Sequence, residues 1–458
     1  MTGGPAAPEP VSASPEAGRH ADRFWLVAAI AAYAVFQVFM AWGARHDNDF
    51  KHIYLGARAV LEGDSPYPVR SMLMQANAAG LRGAALNPYV YLPFTGISLG
   101  WLAVMPFPVA SAVWFALNQL LVAVSVAATA LAVVPRRPAA AAAILVTGLA
   151  VCHPVTRTLT AGQLNFVLMA AVAGAFLALC RGRDALAGTL LGFAAVFKLS
   201  PAAFMLPLLL GRRWRAAGAM AATAGAALAV SLAVSGPAVH REFLGVVGDM
   251  GYGRSTWQHV RADGGGATFW KDPPNQSVNA LLTHVIVAGN GIADPWIAST
   301  QPVANAATTI FAACAILAYA ATAARMSRAA TPSPSRSGFS PSEQGLFLAT
   351  TPLSLLLPSL MWDHYLVALA PPALWLAARA AAGRRPAMLA AVAACWAVVC
   401  MPWDFHAPAW RSGPGVALMS VKLAPTLAIF ALVLAETRKC QTPKPASCDL
   451  LDNDDSVT

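Results

Sequence analysis

The chain has 458 residues, a formal net charge of +10 and a hydrophobic fraction of 57%, and only 11% of its residues are charged. This composition excludes an ordinary soluble domain and is typical of a membrane protein. The basic residues stand mostly at the ends of apolar segments, as in positive-inside anchoring, and no nucleic-acid-binding motif accompanies them. We therefore expect a lipid bilayer, and no nucleic acid, as the partner of this positive charge.

Two polar ends enclose an apolar core. Residues 1–22 are rich in Pro, Ala, Ser and Glu, and residues 439–458 finish in an acidic run, so both are predicted to be disordered, the first of them on the cytoplasmic side. The first apolar segment lacks a convincing cleavage site, which favours a retained helix over a signal peptide. The core, residues 23–438, is expected to carry two external polar insertions, 45–88 and 237–301.

Apolar runs of near-spanning length recur along this core. They cover residues 24–43, 109–134, 216–234, 303–324, 388–401 and 416–434. Because about 20 apolar residues cross the hydrocarbon core of a bilayer, the sequence predicts an all-α polytopic membrane protein. Together with further apolar segments, some of them short or re-entrant, we expect about 10–12 membrane helices.

The segment 46–54, directly after the first apolar run, reads His-Asp-Asn-Asp-Phe-Lys-His-Ile-Tyr. It places two carboxylates, two imidazoles and a lysine at the mouth of a membrane bundle. Polar groups are costly to hold dry at the edge of a bilayer and usually mark a substrate site. We interpret this segment as the catalytic end of an integral membrane enzyme.

Two further apolar segments are predicted to be broken. Residues 89–107 are interrupted by prolines and are interpreted as a re-entrant or short pair of helices. Residues 185–210 carry Lys-Leu-Ser-Pro at 198–201 and are flanked by arginines, and proline disfavours helix at the residue before it. A V-shaped pair of short helices with both ends in the cytoplasm satisfies these charges and brings the polar motifs of the chain toward one external face.

These motifs, in this order, resemble those of glycosyltransferase family 87. The matching elements are Asp49-Phe50 with Tyr54, Pro66-Tyr67, Tyr91-Leu92-Pro93, Gly162-Gln163-Leu164-Asn165, Lys198-Leu199-Ser200-Pro201, Asn275-Gln276-Ser277 and Trp362-Asp363-His364. The resemblance covers about residues 25–435, and one departure is Leu92 where the family often has proline.

The resemblance implies a GT-C glycosyltransferase fold in the cell membrane, with the active site on the extracytoplasmic side. It also implies a polyprenyl-phosphate sugar donor, typically carrying mannose, and a glycolipid or glycan acceptor. Asp49 matches the family's acidic position after the first span and is the candidate general base of an inverting transfer. The structural alternative for Asp49 is an N-cap of a helix over residues 50–61.

A phosphate leaving group needs positive charge or hydrogen-bond donors directed at its oxygens. Lys198, Arg157 and His364 are the candidates for this role. Their structural alternatives are a lysine that extends to the interface, an anchor at a helix end and a helix cap, respectively.

Contacts to the sugar and the acceptor are expected from seven side chains. They are Gln163, Asn165, Asn275, Gln276, Trp362, Tyr54 and Asp47. Amides at helix starts also act as caps, amides after prolines also form turns, and tryptophan also anchors membrane interfaces, so the four amides and the tryptophan each have a structural alternative. Asp47 is also the reserve candidate for the base.

The spacing of Asp47 and Asp49 is similar to the acidic pair that binds metal in nucleotide-sugar transferases. A lipid-phosphate donor has no second phosphate that demands a metal clamp, so we assign neither a metal nor a cofactor. The alternative function is a lipid or sugar transporter or flippase, because broken helices and buried polar residues are also transporter features. The sequence has no clear internal repeat and its polar cluster lies toward one face, which favours the enzyme.

Overall fold

The computed structural model describes residues 15–81, 86–254, 269–329 and 338–440. These residues form helices joined by turns, and within them no β-strand occurs, only two isolated β-bridges. The predicted disordered ends therefore lie largely outside the described residues. The first helix nevertheless begins at Pro15, inside the segment for which the sequence predicts disorder.

The first half of the chain contains twelve of the α-helices that the structure describes. They are α1 (Pro15–Tyr33), α2 (Met40–Gly43), α3 (Asn48–Leu61), α4 (Val69–Ala78), α5 (Pro93–Ala103), α6 (Phe107–Val133), α7 (Pro138–Ala150), α8 (His153–Ala161), α9 (Asn165–Cys180), α10 (Asp184–Phe197), α11 (Met205–Leu210) and α12 (Trp214–Gly248). A π-helical turn joins α1 to α2, and a 3-10 turn, Ser200–Phe204, precedes α11.

The second half contains seven of the described α-helices. They are α13 (Val278–Ile286), α14 (Gln301–Ala329), α15 (Pro341–Leu356), α16 (Ala370–Ala382), α17 (Pro386–Cys400), α18 (Gly415–Leu418) and α19 (Leu423–Lys439). A 3-10 segment, Asp363–Leu369, runs directly into α16. Two short 3-10 turns, Phe269–Lys271 and Pro408–Trp410, lie in the connections.

Within the described residues, five helices are long and apolar enough to cross a bilayer. They are Gly18–Gly43, Phe107–Val133, Trp214–Gly248, Gln301–Met326 and Asp363–Ala382. The pair α7 and α8 meets the same criterion with a bend of 71°, and four further apolar helices are shorter. The protein is therefore an all-α polytopic membrane protein, as the sequence predicts, and several of its apolar helices are short.

The V-shaped pair predicted over residues 185–210 is present. Helix α10 ends at Phe197, and the chain returns through Ser200–Phe204 and α11 to Leu210. Arg213, just beyond α11, lies 3.2 Å from Asp184 at the start of α10. Both feet of the pair therefore stand at one end of the bundle, here called the arginine-rich end, and Lys198 stands at the opposite tip.

Glycines allow α10 to lie directly against the backbone of α12. A Cβ atom added at Gly188 would stand 2.0 Å from the carbonyl oxygen of Ala216, and one at Gly192 would stand 2.5 Å from that of Met220. Neither oxygen can move without disturbing its helix. These close contacts fix the tip of the pair, and with it Lys198, relative to the long helix α12.

Three boundaries differ from the sequence-based expectations. Residues 89–107 contain one short helix, α5, and no re-entrant pair, because the chain before Pro93 is extended. The expected span over residues 416–434 is interrupted at Lys422, just before α19. Helix α12 continues past residue 237 to Gly248 and is kinked at Gly236, whose φ of 74° favours glycine, so the second insertion begins within a helix.

Candidate active site

A cavity of about 540 Å³ opens at the end of the bundle opposite the arginine-rich end. One part of its wall is apolar and comes from the V-shaped pair, the end of α12 and the end of α15. The polar part is lined by His46, Asn48, Asp49, His52, Asn87, Arg157, Gln163, Lys198, Trp362 and His364. The cavity therefore brings together the candidate base, the three candidate phosphate ligands and two of the candidate sugar contacts.

Asp49 is the one carboxylate among the described residues that line this cavity. It lies in the first turn of α3, and the N-cap position belongs to Asp47, so the capping alternative for Asp49 is wrong. Its carboxylate has no hydrogen bond or ion pair with any other described residue. Asp49 is thus a half-buried acid that is left available to a ligand.

Asp47 has a structural environment that differs from that of Asp49. Its carboxylate accepts hydrogen bonds from Arg45 Nε at 2.8 Å and Ser111 Oγ at 2.5 Å, and only 7% of the residue is exposed. The backbone N–H of Asp47 donates to the carbonyl oxygen of Thr160 at 2.9 Å. Asp47 therefore anchors the start of α3 to α6 and α8, and its carboxylate is engaged within the protein.

The turn between α8 and α9 depends on Gly162. Its φ is 72°, and a Cβ atom there would stand 2.5 Å from Cβ of Phe50 on α3. The Gly162 carbonyl oxygen accepts a hydrogen bond from Trp114 Nε1 at 2.9 Å. This turn presents Gln163 to the cavity, where the hydroxyl of Tyr91 donates to Gln163 Oε1 at 3.4 Å.

Lys198 extends from the tip of the V-shaped pair into the cavity. Its ammonium lies 3.2 Å from the centroid of the Tyr365 ring, which is a cation–π contact. Among the described residues this ammonium has neither a carboxylate partner nor a hydrogen-bond acceptor. The Lys198 ammonium therefore has N–H donors at the cavity wall that are available to a ligand.

Arg157 and His364 reach the cavity beside a buried carboxylate. Arg157 Nη1 lies 3.5 Å from Asp363 Oδ1, and His364 Nδ1 lies 3.7 Å from the same oxygen. Both ring nitrogens of His364 are buried and lack a hydrogen-bond partner in the described part of the protein. The three predicted phosphate ligands thus line one cavity, and their side chains have N–H groups that are available to a ligand.

Four of the predicted sugar contacts, besides Asp47, do not line the cavity. Tyr54 is buried and its hydroxyl donates to the carbonyl oxygen of Met105 at 2.8 Å. Asn165 donates to the carbonyl oxygen of His364 at 3.1 Å and so holds the 363–369 segment. For both residues the structure supplies a partner within the protein, and this favours a structural role.

Asn275 and Gln276 form a buried seam behind the cavity. Asn275 Nδ2 donates to the carbonyl oxygen of Ser359 at 2.9 Å, and its Oδ1 accepts from the N–H of Met361 at 2.9 Å. Gln276 Nε2 donates to the carbonyl oxygen of Met419 at 2.8 Å, and its Oε1 accepts from the N–H of Lys422 at 3.0 Å. Because these amides are saturated and fully buried, they position the segment that carries His364 and do not face the cavity.

Trp362 does line the cavity, where its ring makes an edge contact with Phe269 at 5.9 Å. The residue before it, Met361, and the bridge between Trp362 and Asn275 tie this tryptophan to the buried seam. The backbone that carries this indole is therefore fixed beside the cavity, where an aromatic face can stack on a sugar ring.

Two cavity histidines have depressed basicity. Burial lowers the pKa of His52 to about 4, and its Nε2 accepts a hydrogen bond from the N–H of Asn87. Burial also lowers the pKa of His46, against an opposing effect of the nearby Asp49 carboxylate. Both imidazoles are therefore neutral near pH 7 and add little to the positive charge of the site.

One feature of the site, the charge centre at Asp363, is not predicted from the sequence. Lys422 Nζ lies 3.6 Å and His153 Nδ1 lies 3.5 Å from Asp363 Oδ2, and Lys422 is fully buried. The only signal for it in the sequence is that Lys422 stands alone inside an apolar segment, where a charge is costly without a partner.

Comparisons with known proteins identify the family of the chain. A model of glycosyltransferase family 87 matches residues 89–336, which is more than half of the chain and includes Gln163 and Lys198. Over 163 residues the chain is 32% identical to a Mycolicibacterium smegmatis protein, the polyprenol-phosphate-mannose-dependent alpha-(1-2)-phosphatidylinositol pentamannoside mannosyltransferase. This alignment covers 35% of the chain and 39% of the relative's length. The chain therefore belongs to glycosyltransferase family 87.

Proposed function

We propose that this protein transfers mannose from a polyprenyl-phosphate donor to a glycolipid or glycan acceptor, with inversion, at the extracytoplasmic face of the cell membrane. The single observation that supports this most is the cavity itself. An unpaired carboxylate, Asp49, shares it with the cations Lys198 and Arg157 and the imidazole of His364. The donor class follows the name of the M. smegmatis relative.

Asp49 is suited to act as the general base. The acceptor hydroxyl passes its proton to the carboxylate as its oxygen bonds to the anomeric carbon of the sugar. The bond from that carbon to the donor phosphate breaks, and its electron pair leaves with the polyprenyl phosphate. A single carboxylate is enough for such an inverting displacement, whereas a retaining mechanism of the double-displacement type uses a second carboxylate as nucleophile.

The cations are suited to the leaving group. As the sugar–oxygen bond breaks, negative charge grows on the phosphate, and donors fixed in a poorly solvated cavity stabilise it strongly. Lys198 supplies an ammonium without a carboxylate partner, and Arg157 supplies a guanidinium whose side chain is 40% exposed. Gln163 and Trp362, on other parts of the wall, can contact sugar hydroxyls and a sugar face.

The proposal is tested with purified full-length protein, radiolabelled polyprenyl-phosphate mannose and an envelope lipid extract, with mass spectrometry of the product. Transfer by Asp49→Asn should fall by about 10²–10⁴-fold, the usual contribution of a general base, while donor binding persists. Asp47→Asn is the matched control, because it removes a carboxylate two residues away that is already hydrogen-bonded. It should lower thermal stability and leave most of the transfer rate.

Three outcomes contradict parts of the proposal. Full transfer by Asp49→Asn together with loss in a folded Asp47→Asn protein would move the base to Asp47. Movement of labelled lipid across a bilayer without any product would favour the transporter. The proposed side is tested in intact cells with a membrane-impermeant maleimide: a cysteine at the exposed Met74 should react, and one at the exposed Trp214 should not. The reverse labelling pattern contradicts the proposed side.

A further inference from the structure

Asp363 is a fully buried carboxylate that lies among four basic groups. His153 Nδ1 and Arg157 Nη1 are each 3.5 Å from it, Lys422 Nζ is 3.6 Å away, and His364 Nδ1 is 3.7 Å away. Asp363 also stands at the start of the 3-10 segment that carries His364. The carboxylate is therefore the centre of a charge cluster in the cavity wall.

None of these contacts is a close hydrogen bond. Both carboxylate oxygens of Asp363 and the ammonium of Lys422 lack a hydrogen-bond partner among the described residues. A buried charge without hydrogen bonds is tolerated only when opposite charge compensates it. The stability of the cluster therefore depends on its net charge. If one charged group is removed, the remaining groups pair differently with the Asp363 carboxylate.

The cluster has a cavity side and a buried side. Arg157 and His364 line the cavity, whereas Lys422 is fully buried and does not belong to the lining. One carboxylate cannot neutralise both Lys422 and Arg157. Since Lys422 has no access to solvent or ligand, it compensates Asp363, and the guanidinium of Arg157 is left as the excess positive charge on the cavity side.

We propose that Asp363 and Lys422 are positioning residues, a buried ion pair that holds Arg157 and His364 at the cavity wall and leaves the charge of Arg157 free for the phosphate of the lipid donor. This inference rests on the proposed function, because it assigns a lipid phosphate to the cavity. Neither Asp363 nor Lys422 lines the cavity, so both act through the residues that do.

The test is the binding of radiolabelled polyprenyl phosphate to full-length protein in nanodiscs. In Lys422→Met, Arg157 becomes the cation that compensates Asp363, so Kd should rise roughly tenfold, the loss of about one charge-assisted hydrogen bond. Lys422→Arg keeps the charge and should bind within about threefold of the parent protein. The double variant Asp363→Asn/Lys422→Met removes both charges, frees Arg157 again and should recover most of the affinity.

Recovery in the double variant separates charge balance from mere structural support, since two substitutions disturb packing more than one. Replacement of a buried ion pair by neutral groups is often tolerated, so the double variant decides the question even where Lys422→Met does not fold. Arg213→Met, in an ion cluster at the other end of the bundle, is the matched control and should bind as the parent does.

Two results would overturn the inference: parental affinity in a folded Lys422→Met protein, or a double variant that binds at least about tenfold more weakly than the parent, which is no recovery. Absence of polyprenyl phosphate binding in the parent protein is a different result. It would contradict the proposed function itself, before any variant is compared.

Discussion

The two ends of the bundle hold their charges in different ways. At the arginine-rich end, Arg213 donates to Glu343 Oε1 at 3.2 Å, to Asp184 Oδ1 at 3.2 Å and to the Gly338 carbonyl oxygen at 2.6 Å. At the cavity end, Asp363 meets its four basic neighbours at 3.5–3.7 Å, without a hydrogen bond. Helix α10, 14 residues long, separates the two ends by about 20 Å.

Hydrogen bonding therefore distinguishes a charge cluster that stabilises the fold from one that is available to a ligand. Polar groups that serve the fold alone form close hydrogen bonds, because an unsatisfied buried group is costly. Groups that await a ligand keep donors and acceptors free, as Lys198, His364 and Asp49 do in the described part of the chain. Substitutions at the cavity end should therefore reduce transfer, and those at the arginine-rich end should reduce stability.

After Asp49→Asn, the largest effect is expected for Lys198→Met. It removes one cation that is directed at the leaving phosphate, and loss of one such group typically lowers kcat by about 10²–10³-fold. The apparent melting temperature should hardly change, because the ammonium lacks a polar partner that the fold requires. Lys198→Arg restores a cation and should regain part of the rate. Transfer kinetics and thermal unfolding on the same preparations measure both quantities, and a large loss of stability would contradict the comparison.

Arg213→Met should show the opposite behaviour. It leaves Asp184 and Glu343 without their shared partner and detaches the two feet of the V-shaped pair, for a loss of about 2–3 kcal/mol of stability. Transfer per folded molecule should stay close to that of the parent protein. Equilibrium or thermal unfolding in detergent gives the first quantity, and activity normalised to folded protein gives the second. A selective loss of activity would show that the two ends are coupled.

This contrast also explains which parts of the fold and the site could be predicted from the sequence. Four of the six apolar runs correspond to long apolar helices in the described part of the chain, and the arginines around 185–210 predicted the V-shaped pair that carries Lys198. Asp49, Gln163, Lys198 and His364 stand out as polar groups at helix ends. Asn275 and Gln276 could not be separated from such groups, because their saturation depends on Ser359, Met361 and Met419, which are distant in the chain.

The Asp363 cluster shows the same limit. Lys422 is an isolated charge in an apolar run, and its partner lies more than fifty residues earlier, so only the packing of the 363–369 segment against α19 pairs them. Because Asp and Asn are both common cap residues, the sequence leaves a cap at Asp49 open as the structural alternative, whereas the structure places the N-cap position at Asp47, two residues earlier. The choice between them follows from tertiary bonds of Asp47 to Ser111 and Arg45.

Unlike Lys198 and Asp49, His52 is a cavity-lining residue whose side chain has a hydrogen-bond partner, the N–H of Asn87. Its pKa in the folded protein, about 4, lies below the ordinary value of 6.5, so the folded state resists protonation. The contribution of neutral His52 to the free energy of unfolding is therefore fully present well above pH 6.5. It is lost as the pH falls toward 4, by about 2 kcal/mol between pH 8 and pH 5. His52→Gln keeps an acceptor for the Asn87 N–H and lacks a titratable ring. Thermal unfolding across this pH range should become flatter in the variant, and an unchanged slope would assign the acid sensitivity to another group.

The smallest effect concerns the ring beneath Lys198. Tyr365→Leu removes the cation–π contact at 3.2 Å and should weaken donor binding by about fivefold, because the ammonium is then held less firmly toward the phosphate. Tyr365→Phe keeps the ring face and should bind like the parent protein, which separates the contribution of the π system from that of the hydroxyl. The measurement is the KM for the lipid donor at a saturating acceptor concentration. Equal weakening in both variants would mean that Tyr365 acts through its hydroxyl, and an unaffected Tyr365→Leu would mean that Lys198 is oriented by the ligand alone.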